Sequence, residues 1–369
     1  MKIQRIKSID IFRGMCMAWM ILNHLINWWL KSKFSWLHGI TVMILDPIGA
    51  SGFLFISGVS IALSYKNRVM SVEYNHRRLR NSYLFRASFI FVIAMIYNIT
   101  ITLTLNNILW LWTWFVLLTV AVSMFISWPL LKTSKIFRVL LGIIIMIANQ
   151  FLFSVLLPYR GKNNALGVFF HILYHRMYQD PILTFFPFFL FGTVIGDILF
   201  DSYNNPDENS KKKYLKINLI IPALAIGSLL VIFGILFKFP TFLERASFSW
   251  IIYSLGIELL IFSLLLIFEE FIIIGTKKSY KFLFYYSYYS LTVYLGHNLL
   301  YFLFFKSLNI YNIWIFIFAI FLILGLLLRV IYKKWRSKAS LKMQVGVLSS
   351  ILTMKIEMFK WNRDNRNKK

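Results

Sequence analysis

Histidines inside apolar stretches are the residues of this sequence best suited to chemistry. The stretch SLTVYLGHNLLYFLFF would be an ordinary membrane span except that it contains His297 and Asn298. The first apolar run, 11–30, contains Asn23 and His24. Ionisable residues within a span usually face the protein interior or a water-filled cavity, where they mark functional paths. An imidazole there can act as a general base near neutral pH, or it can simply hydrogen-bond a neighbouring helix.

Further polar residues lie at the ends of the first two apolar runs. His38 is in the loop after the first run, and Asp46 enters the second run from the same side. Asp10 and Arg13 lie at the opposite end of the first run. These two are either a charge pair at the mouth of a pocket or ordinary residues of a helix end.

The sequence does not predict a metal site or a serine hydrolase. His171 and His175 are four residues apart, so they share one face of a helix, which is half of a metal site. The run between them lacks the glutamate of H-E-x-x-H, and Asp180 is the nearest carboxylate. There is also no G-x-S-x-G elbow, no phosphate-binding P-loop and no G-x-G-x-x-G motif.

Long apolar stretches predict the elements that position these residues. Of the 369 residues, 59% are hydrophobic, whereas soluble domains have about 45–50%. A membrane-spanning helix needs roughly 20 apolar residues. Such stretches occur at 11–30, 41–64, 84–105, 108–131, 137–158, 182–200, 215–237, 248–273, 282–304 and 312–331. We therefore expect an all-α, polytopic bundle of about ten transmembrane helices in the lipid bilayer.

The basic residues predict the orientation of this bundle. The chain carries 40 Lys and Arg against 14 Asp and Glu, and its net charge is +26. These basic residues do not gather on one face or arm, so nucleic acid is not an expected partner. Most of them lie in the connections at Lys2 to Arg13, Lys66 to Arg86, Lys132 to Arg138, Lys211 to Lys216 and Lys277 to Lys281, and in the tail from Arg329. By the positive-inside rule, both termini are cytoplasmic, and we expect a multi-pass protein of the plasma membrane.

The chain after the last span has a different pattern. We predict a transmembrane domain at 1–335 and a basic, amphipathic cytoplasmic tail at 336–369. Hydrophobic residues recur in the tail at helical spacing, with lysines between them: Val345, Leu348, Leu352, Ile356 and Phe359. This pattern predicts either an interfacial helix on the anionic inner leaflet or a helix packed on a partner.

Four stretches together resemble a known family. They are RIKSIDIFRGMCMAWMILNHLINWW, DPIGASGFLFISGVSIALSYKNR, FFPFFLFGTVIGD and YYSYYSLTVYLGHNLLY. In combination and order they are similar to the heparan-α-glucosaminide N-acetyltransferase-like proteins, which belong to a wider group of polytopic membrane acyltransferases. The resemblance covers most of the chain before the tail.

The resemblance implies a function and roles for particular residues. Such an enzyme takes acetyl from cytoplasmic acetyl-CoA, a co-substrate and not a permanently bound cofactor, and passes it to a hydroxyl or amine of an extracytoplasmic glycan. By position, His24 and His297 match the expected catalyst. Asp10 and Arg13 match the family motif at the end of the protein where the donor binds. Further candidates for holding the nucleotide are in the basic cluster Arg77, Arg78, Arg80 and Arg86. The residues that we predict to bind substrate or donor are Asp10, Arg13, Asn23, Asp46 and Asn298.

The chain departs from the family pattern in its first outer loop. The lysosomal enzyme has a histidine just before a Ser-Trp pair, whereas this chain has Phe34 there and His38 after the pair. We therefore favour His24 as the catalyst, with His38 second. The departure also weakens the expectation of a glucosamine acceptor.

Other functions are compatible with the same residues. A transporter or flippase would use the histidines as a proton relay, and it would have helices broken in matching places, which the sequence does not reveal. An assembly subunit of an envelope polymer system would have no activity alone. The sequence leaves open the acceptor, the acyl chain, direct transfer or an acyl-histidine intermediate, and a homo-oligomer.

Overall fold

The computed structural model describes residues 5–71, 75–175, 179–271 and 281–366, and the regular elements in these ranges are all helices. Eight helices in the described part are long and apolar enough to cross a membrane. The expectation of an all-α, polytopic membrane bundle is therefore confirmed. Lys2 and Lys277, which belong to the basic groups used for the orientation, lie outside the described residues.

Fifteen α-helices follow one another within the described ranges of the chain. Their bounds are α1 Lys7–Trp29, α2 Ser35–Leu45, α3 Ala50–Val69, α4 His76–Leu105, α5 Val116–Leu130, α6 Lys135–Leu156, α7 Ala165–Leu173, α8 Ile182–Tyr203, α9 Glu208–Leu215, α10 Ile221–Leu236, α11 Phe248–Glu270, α12 Lys281–Tyr288, α13 Ser290–Gly296, α14 Ile313–Trp335 and α15 Leu341–Arg366.

The second predicted span begins later than the sequence suggested. We expected a helix over 41–64, but α2 ends at Leu45 and α3 begins at Ala50. A short 3₁₀ turn, Asp46–Ile48, separates them. Pro47 has no backbone N–H to continue the α2 hydrogen-bond ladder, so the chain turns there. Because of this turn, Asp46 lies at the start of the span and not within it.

The ninth predicted span, 282–304, is not one regular helix. It consists of α12, α13 and a 3₁₀ segment, His297–Phe302. Tyr289 separates the two α-helices, with φ −98° and ψ 20°. The carbonyl of Tyr288 accepts a hydrogen bond from the Ser340 hydroxyl at 3.0 Å instead of an intrahelical one. An apolar run in the sequence gives no sign of such an interruption, because the bond that compensates for it comes from another part of the chain.

The broken ninth span lies alongside α1 and runs in the same direction. At one end, the Ser287 hydroxyl donates to Asp10 at 3.1 Å. At the other end, the indole N–H of Trp29 donates to the carbonyl of Leu300 at 2.8 Å. Lys342 of the tail donates to the carbonyl of Ser287 at 2.8 Å, so the start of the chain and the tail lie on one face. We call this the inner face, and the opposite one the outer face.

Helices α3 and α8 pack most closely in the centre of the bundle. A Cβ atom on Gly58 would overlap the carbonyl of Phe189, and one on Gly192 would overlap the carbonyl of Phe55. Small residues let the backbones of two membrane helices touch, which increases their van der Waals contact. These two helices form a rigid frame beside α1 and α11.

The tail helix α15 packs on the protein's own transmembrane part. It lies against α4 and α13, and it buries Val345, Ser349 and Thr353. Three residues of the predicted apolar stripe are exposed: Leu348, Leu352 and Phe359. The packed face therefore includes Val345 but is otherwise lined by small polar side chains. The boundary at residue 335 stays a prediction.

Candidate active site

Two cavities lie one behind the other between the outer and inner faces. The outer cavity has a volume of about 630 Å³ and is lined by His24, His38 and His297. The inner cavity has a volume of about 270 Å³ and is lined by Arg13 and Arg86. The predicted site residues thus fall into two groups, which are separated along the bundle axis.

Two histidines from distant helices meet in the outer cavity. His24 is on α1 and His297 begins the 3₁₀ segment of the ninth span. Their ring centroids are 5.0 Å apart. Trp28 stacks on both rings, with centroid distances of 4.9 Å to His24 and 5.6 Å to His297. One indole therefore packs against both imidazoles and helps to fix their positions.

Hydrogen bonding determines which nitrogen of His297 carries the proton. Its Nδ1 lies 2.5 Å from the carbonyl of Tyr294, which can only accept, so Nδ1 carries the hydrogen. In the neutral ring, Nε2 is then the unprotonated nitrogen. This Nε2 is buried and has no hydrogen-bond partner among the described residues. His297 is thus a base with a free lone pair in a cavity wall.

The other predicted outer residues lie around the same cavity. Asn23, His38 and Asp46 all line it, and the side-chain oxygen of Asn23 is buried without a hydrogen-bond partner in the described part of the chain. Burial and, to a smaller extent, the nearby Lys306 lower the pKa of His38 below its ordinary value of 6.5. His38 is therefore neutral at pH 7 and available as a second base.

An arginine that the sequence did not single out organises the outer cavity. Arg245 Nε lies 3.0 Å from Asp46, and Arg245 Nη2 donates to Asp180 at 2.6 Å. Burial raises the pKa of Asp180 to about 6, although Arg245 opposes this shift. Arg245 joins the loop before α11 to the loop before α8 and the start of the second span. The one hint in the sequence was an arginine on the outer side, where basic residues are few.

The inner cavity has a different chemical character. Arg13 bonds to the hydroxyls of Ser60 and Ser287, the latter at 3.2 Å. Asp10 lies 3.6 Å from Arg13 and 2.5 Å from Arg5, and it is itself buried. Asp10 does not line the cavity, but it holds Arg13, which does. The remaining cations in the wall are Arg86 and Lys342.

Phe53 and Tyr294 line both cavities. The two spaces therefore meet at these two side chains. Tyr97 packs on Tyr294 with ring centroids 5.9 Å apart, and the Tyr97 hydroxyl donates to Asn298 at 3.2 Å. Asn298 does not line either cavity, but it positions Tyr97 beside Tyr294. Neither Phe53 nor Tyr294 was predicted, because each looks like an ordinary core aromatic in the sequence.

The remaining candidates lie away from both cavities. His171 and His175 have ring centroids 4.7 Å apart at the outer surface, and His175 bonds to the carbonyl of Leu109. The described residues contain no group of three or more His, Cys, Asp or Glu that could hold a metal. Arg77 and Arg80 are exposed, so Arg86 is the member of the predicted basic cluster that reaches the inner cavity.

Comparison with known families identifies the chain. The model of the acyltransferase domain of the acyltransferase 3 family matches residues 6–334, which is nearly the whole chain. The chain belongs to the acyltransferase 3 family. A search of the curated proteins finds no match.

Membership of the acyltransferase 3 family makes the protein a membrane acyltransferase. The site agrees with this class, since acyl transfer needs a base for the attacking group and a place for the donor. The match ends before α15, so the tail helix lies beyond the acyltransferase 3 domain. The narrower resemblance to heparan-α-glucosaminide N-acetyltransferase-like proteins stays a prediction.

Proposed function

We propose that this acyltransferase moves a short acyl group, acetyl in the simplest case, from cytoplasmic acyl-CoA to an extracytoplasmic glycan in the plasma membrane. The acceptor group is a hydroxyl or an amine. The donor enters the inner cavity, the acceptor enters the outer cavity, and the acyl group passes between them at Phe53 and Tyr294.

One observation carries this proposal: two cavities of opposite character share a wall. The inner wall contains Arg13, Arg86 and Lys342, with no carboxylate among the described lining residues. Fixed positive charge suits the phosphates of CoA. The outer wall contains the histidines that can take a proton. A thioester held by its nucleotide at the inner face would reach the imidazoles through the apolar boundary.

The outer cavity favours a neutral or amine-bearing acceptor. Its charged lining consists of Asp46, Asp180 and Glu244 against Arg245. The side chains of Asn23 and Asn27 add amide groups that can hydrogen-bond sugar hydroxyls. Aromatic rings with a few polar groups are the usual lining of small-ligand sites, and Trp19 and Tyr97 supply such rings here.

The reaction needs two proton transfers and one exchange of bonds. His24 or His297 takes the proton of the acceptor hydroxyl or amine, and the freed oxygen or nitrogen attacks the thioester carbonyl. The new carbon–oxygen or carbon–nitrogen bond forms while the carbon–sulfur bond breaks. The leaving thiolate takes the proton from the imidazolium and departs as free CoA, so the protein returns to its starting state. General base catalysis of this kind contributes roughly 10²–10⁴-fold in rate.

Purified protein, labelled acetyl-CoA and a panel of neutral, amino and acidic glycans test the proposal. We expect label to pass to a neutral or amino glycan, and the double variant His24→Ala, His297→Ala to lose this transfer. His171→Ala is the matched control, since His171 is also an outer histidine but lines a different pocket. Transfer that survives the double variant would refute the assigned chemistry.

A transporter with a histidine proton relay is the second candidate. The interrupted ninth span favours it, because transporters bind substrates at such breaks. It predicts glycan flux in proteoliposomes that contain no acyl-CoA. If flux occurs without acyl-CoA and no label is transferred, this function replaces the one proposed here.

A further inference from the structure

We propose that the tail helix α15 is part of the donor site and that Lys342 binds a phosphate group of the acyl-CoA. This inference rests on the proposed function, which places the donor in the inner cavity. It assigns a binding role to a segment that lies beyond the acyltransferase 3 domain.

Lys342 lies in the wall of the inner cavity. Its Nζ donates to the carbonyl of Ser287 at 2.8 Å, and the hydroxyl of Ser287 is bonded to both Asp10 and Arg13. Val345, one turn further along α15, lines the same cavity. The tail thus contributes one cation and one apolar side chain to the space that holds Arg13.

The contact between α15 and the inner cavity continues as a row of cavities. A second cavity of about 80 Å³ shares Ser60 and Arg86 with the inner cavity, and Gly346 and Ser349 of α15 line it. A third, of about 290 Å³, shares Arg68 with the second. Three arginines of the transmembrane part line the second and third cavities under α15: Arg68, Arg78 and Arg86.

A row of cations of this kind is suited to binding an anion with several charges. Cations placed close together repel one another, and the partial burial of Arg13, Arg86 and Lys342 removes some of the water that would screen them. A ligand with several phosphates relieves both effects, and Arg and Lys are the side chains that bind phosphate. The row also leads from the inner surface to Arg13, so it suits an elongated nucleotide with its reactive end at the inner cavity.

The segment before α15 is fixed to the broken ninth span, which places Lys342. The Tyr289 hydroxyl donates to the carbonyl of Arg336 at 2.8 Å. The backbone N–H of Leu341 donates to the Thr292 hydroxyl at 3.1 Å, and Thr292 in turn donates to the carbonyl of Ala339. The interruption at Tyr289 therefore serves as the attachment of the tail, and the position of Lys342 depends on it.

Binding of coenzyme A to the full-length protein in phosphatidylcholine nanodiscs tests the inference. The neutral lipid removes anionic headgroups as competing phosphates. We expect Lys342→Ala to raise the Kd for CoA about tenfold or more, the loss that follows from removing a charged hydrogen bond. Lys342→Arg should restore most of the affinity. Pantetheine, which lacks the phosphates, should bind the wild type and Lys342→Ala equally.

Two further variants separate a binding role from a structural one. Lys355→Ala removes an exposed lysine of the same helix and should leave the Kd unchanged. Gly346→Trp adds a large side chain where a Cβ would meet nothing within 4 Å, so α15 should keep its place while the second cavity fills. We expect this variant to weaken CoA binding without a lower thermal unfolding midpoint.

Several outcomes would overturn the inference. They are a Kd of Lys342→Ala within twofold of the wild type, an equal loss in Lys355→Ala, and normal CoA binding by Gly346→Trp. If CoA binding depends on Lys342 but no glycan accepts label, the proposed reaction fails and the donor-site role of α15 stands. If the wild type does not bind CoA, both fail.

Discussion

The inner and outer cavities differ in the sign of their charge as well as in their chemistry. Three cations and no described carboxylate line the inner cavity, whereas three carboxylates and one arginine accompany the histidines of the outer cavity. Both arginines at the centres of these sites, Arg13 and Arg245, are held by acids. This difference is what the proposed function requires, in which a polyanionic donor and a neutral or cationic acceptor approach a common boundary from opposite faces.

The largest expected effect concerns the outer cavity alone. Replacing His24 and His297 together by alanine should lower the rate of acyl transfer by about 10²–10⁴-fold, since it removes the general base. The Kd for CoA, measured in the same preparation, should stay within about twofold because the inner cavity is intact. A large loss of CoA binding would show that the two cavities do not act separately.

The converse variant affects the inner cavity. Arg13→Ala should raise the Kd for CoA by about tenfold to a hundredfold, because it removes a charged group from a cavity that binds phosphate. The exposed Arg80→Ala is its control and should bind CoA normally. Equal effects of the two variants would mean that general surface charge, and not the cavity, attracts the donor.

The ion cluster of the outer cavity gives a pH-dependent prediction. Asp180 has a pKa of about 6 in the folded protein, against 3.8 in a model peptide. Between these values the unfolded chain loses its proton first, so raising the pH favours unfolding through this group. The stability of the wild type relative to Asp180→Asn should therefore fall by about 2 kcal/mol from pH 4 to pH 6, and stay level above. Thermal unfolding in detergent measures this, and a rise over the same window would contradict it.

The smallest effect concerns the boundary between the cavities. Tyr97→Phe removes the hydrogen bond to Asn298, so Tyr294 is held less firmly. We expect the activation free energy of transfer to rise by about 1 kcal/mol. We expect a three- to tenfold lower transfer rate with an unchanged Kd for CoA. Asn298→Asp keeps an acceptor for the same hydroxyl, so its transfer rate should fall less than that of Tyr97→Phe.

The helix types and their order could be read from the sequence, but the interruptions could not. Long apolar runs require helices because lipid offers no hydrogen-bond partners. The break at Tyr289 is different, since its compensating bonds come from Ser340 and Lys342, about 50 residues later in the chain. Hydropathy reports the local sequence only, so a contact of this kind leaves no trace in it.

The sequence indicated the outer site better than the inner one. A histidine in an apolar run is unusual enough to be noticed, and His24 and His297 do line one cavity. Arg86 was only one of four arginines in the predicted basic cluster, and Lys342 was missed, because the positive-inside rule already explains most basic residues of the chain. Arg245 was missed because pairing with Asp46 and Asp180 depends on three loops that meet only in the folded bundle.

The packing of α3 against α8 has a consequence for the boundary between the cavities, which is formed by Phe53 and Tyr294. Phe53 lies on α3, where glycines bring two backbones into contact and leave no room for one helix to shift against the other. Tyr294 lies on α13, a short helix with an interruption on each side. The Phe53 side of the boundary is therefore fixed, whereas the Tyr294 side can adjust. If the boundary must open to admit an acyl group, Tyr294 is the side chain that moves. Stiffening α13 should therefore slow turnover without weakening the binding of either substrate.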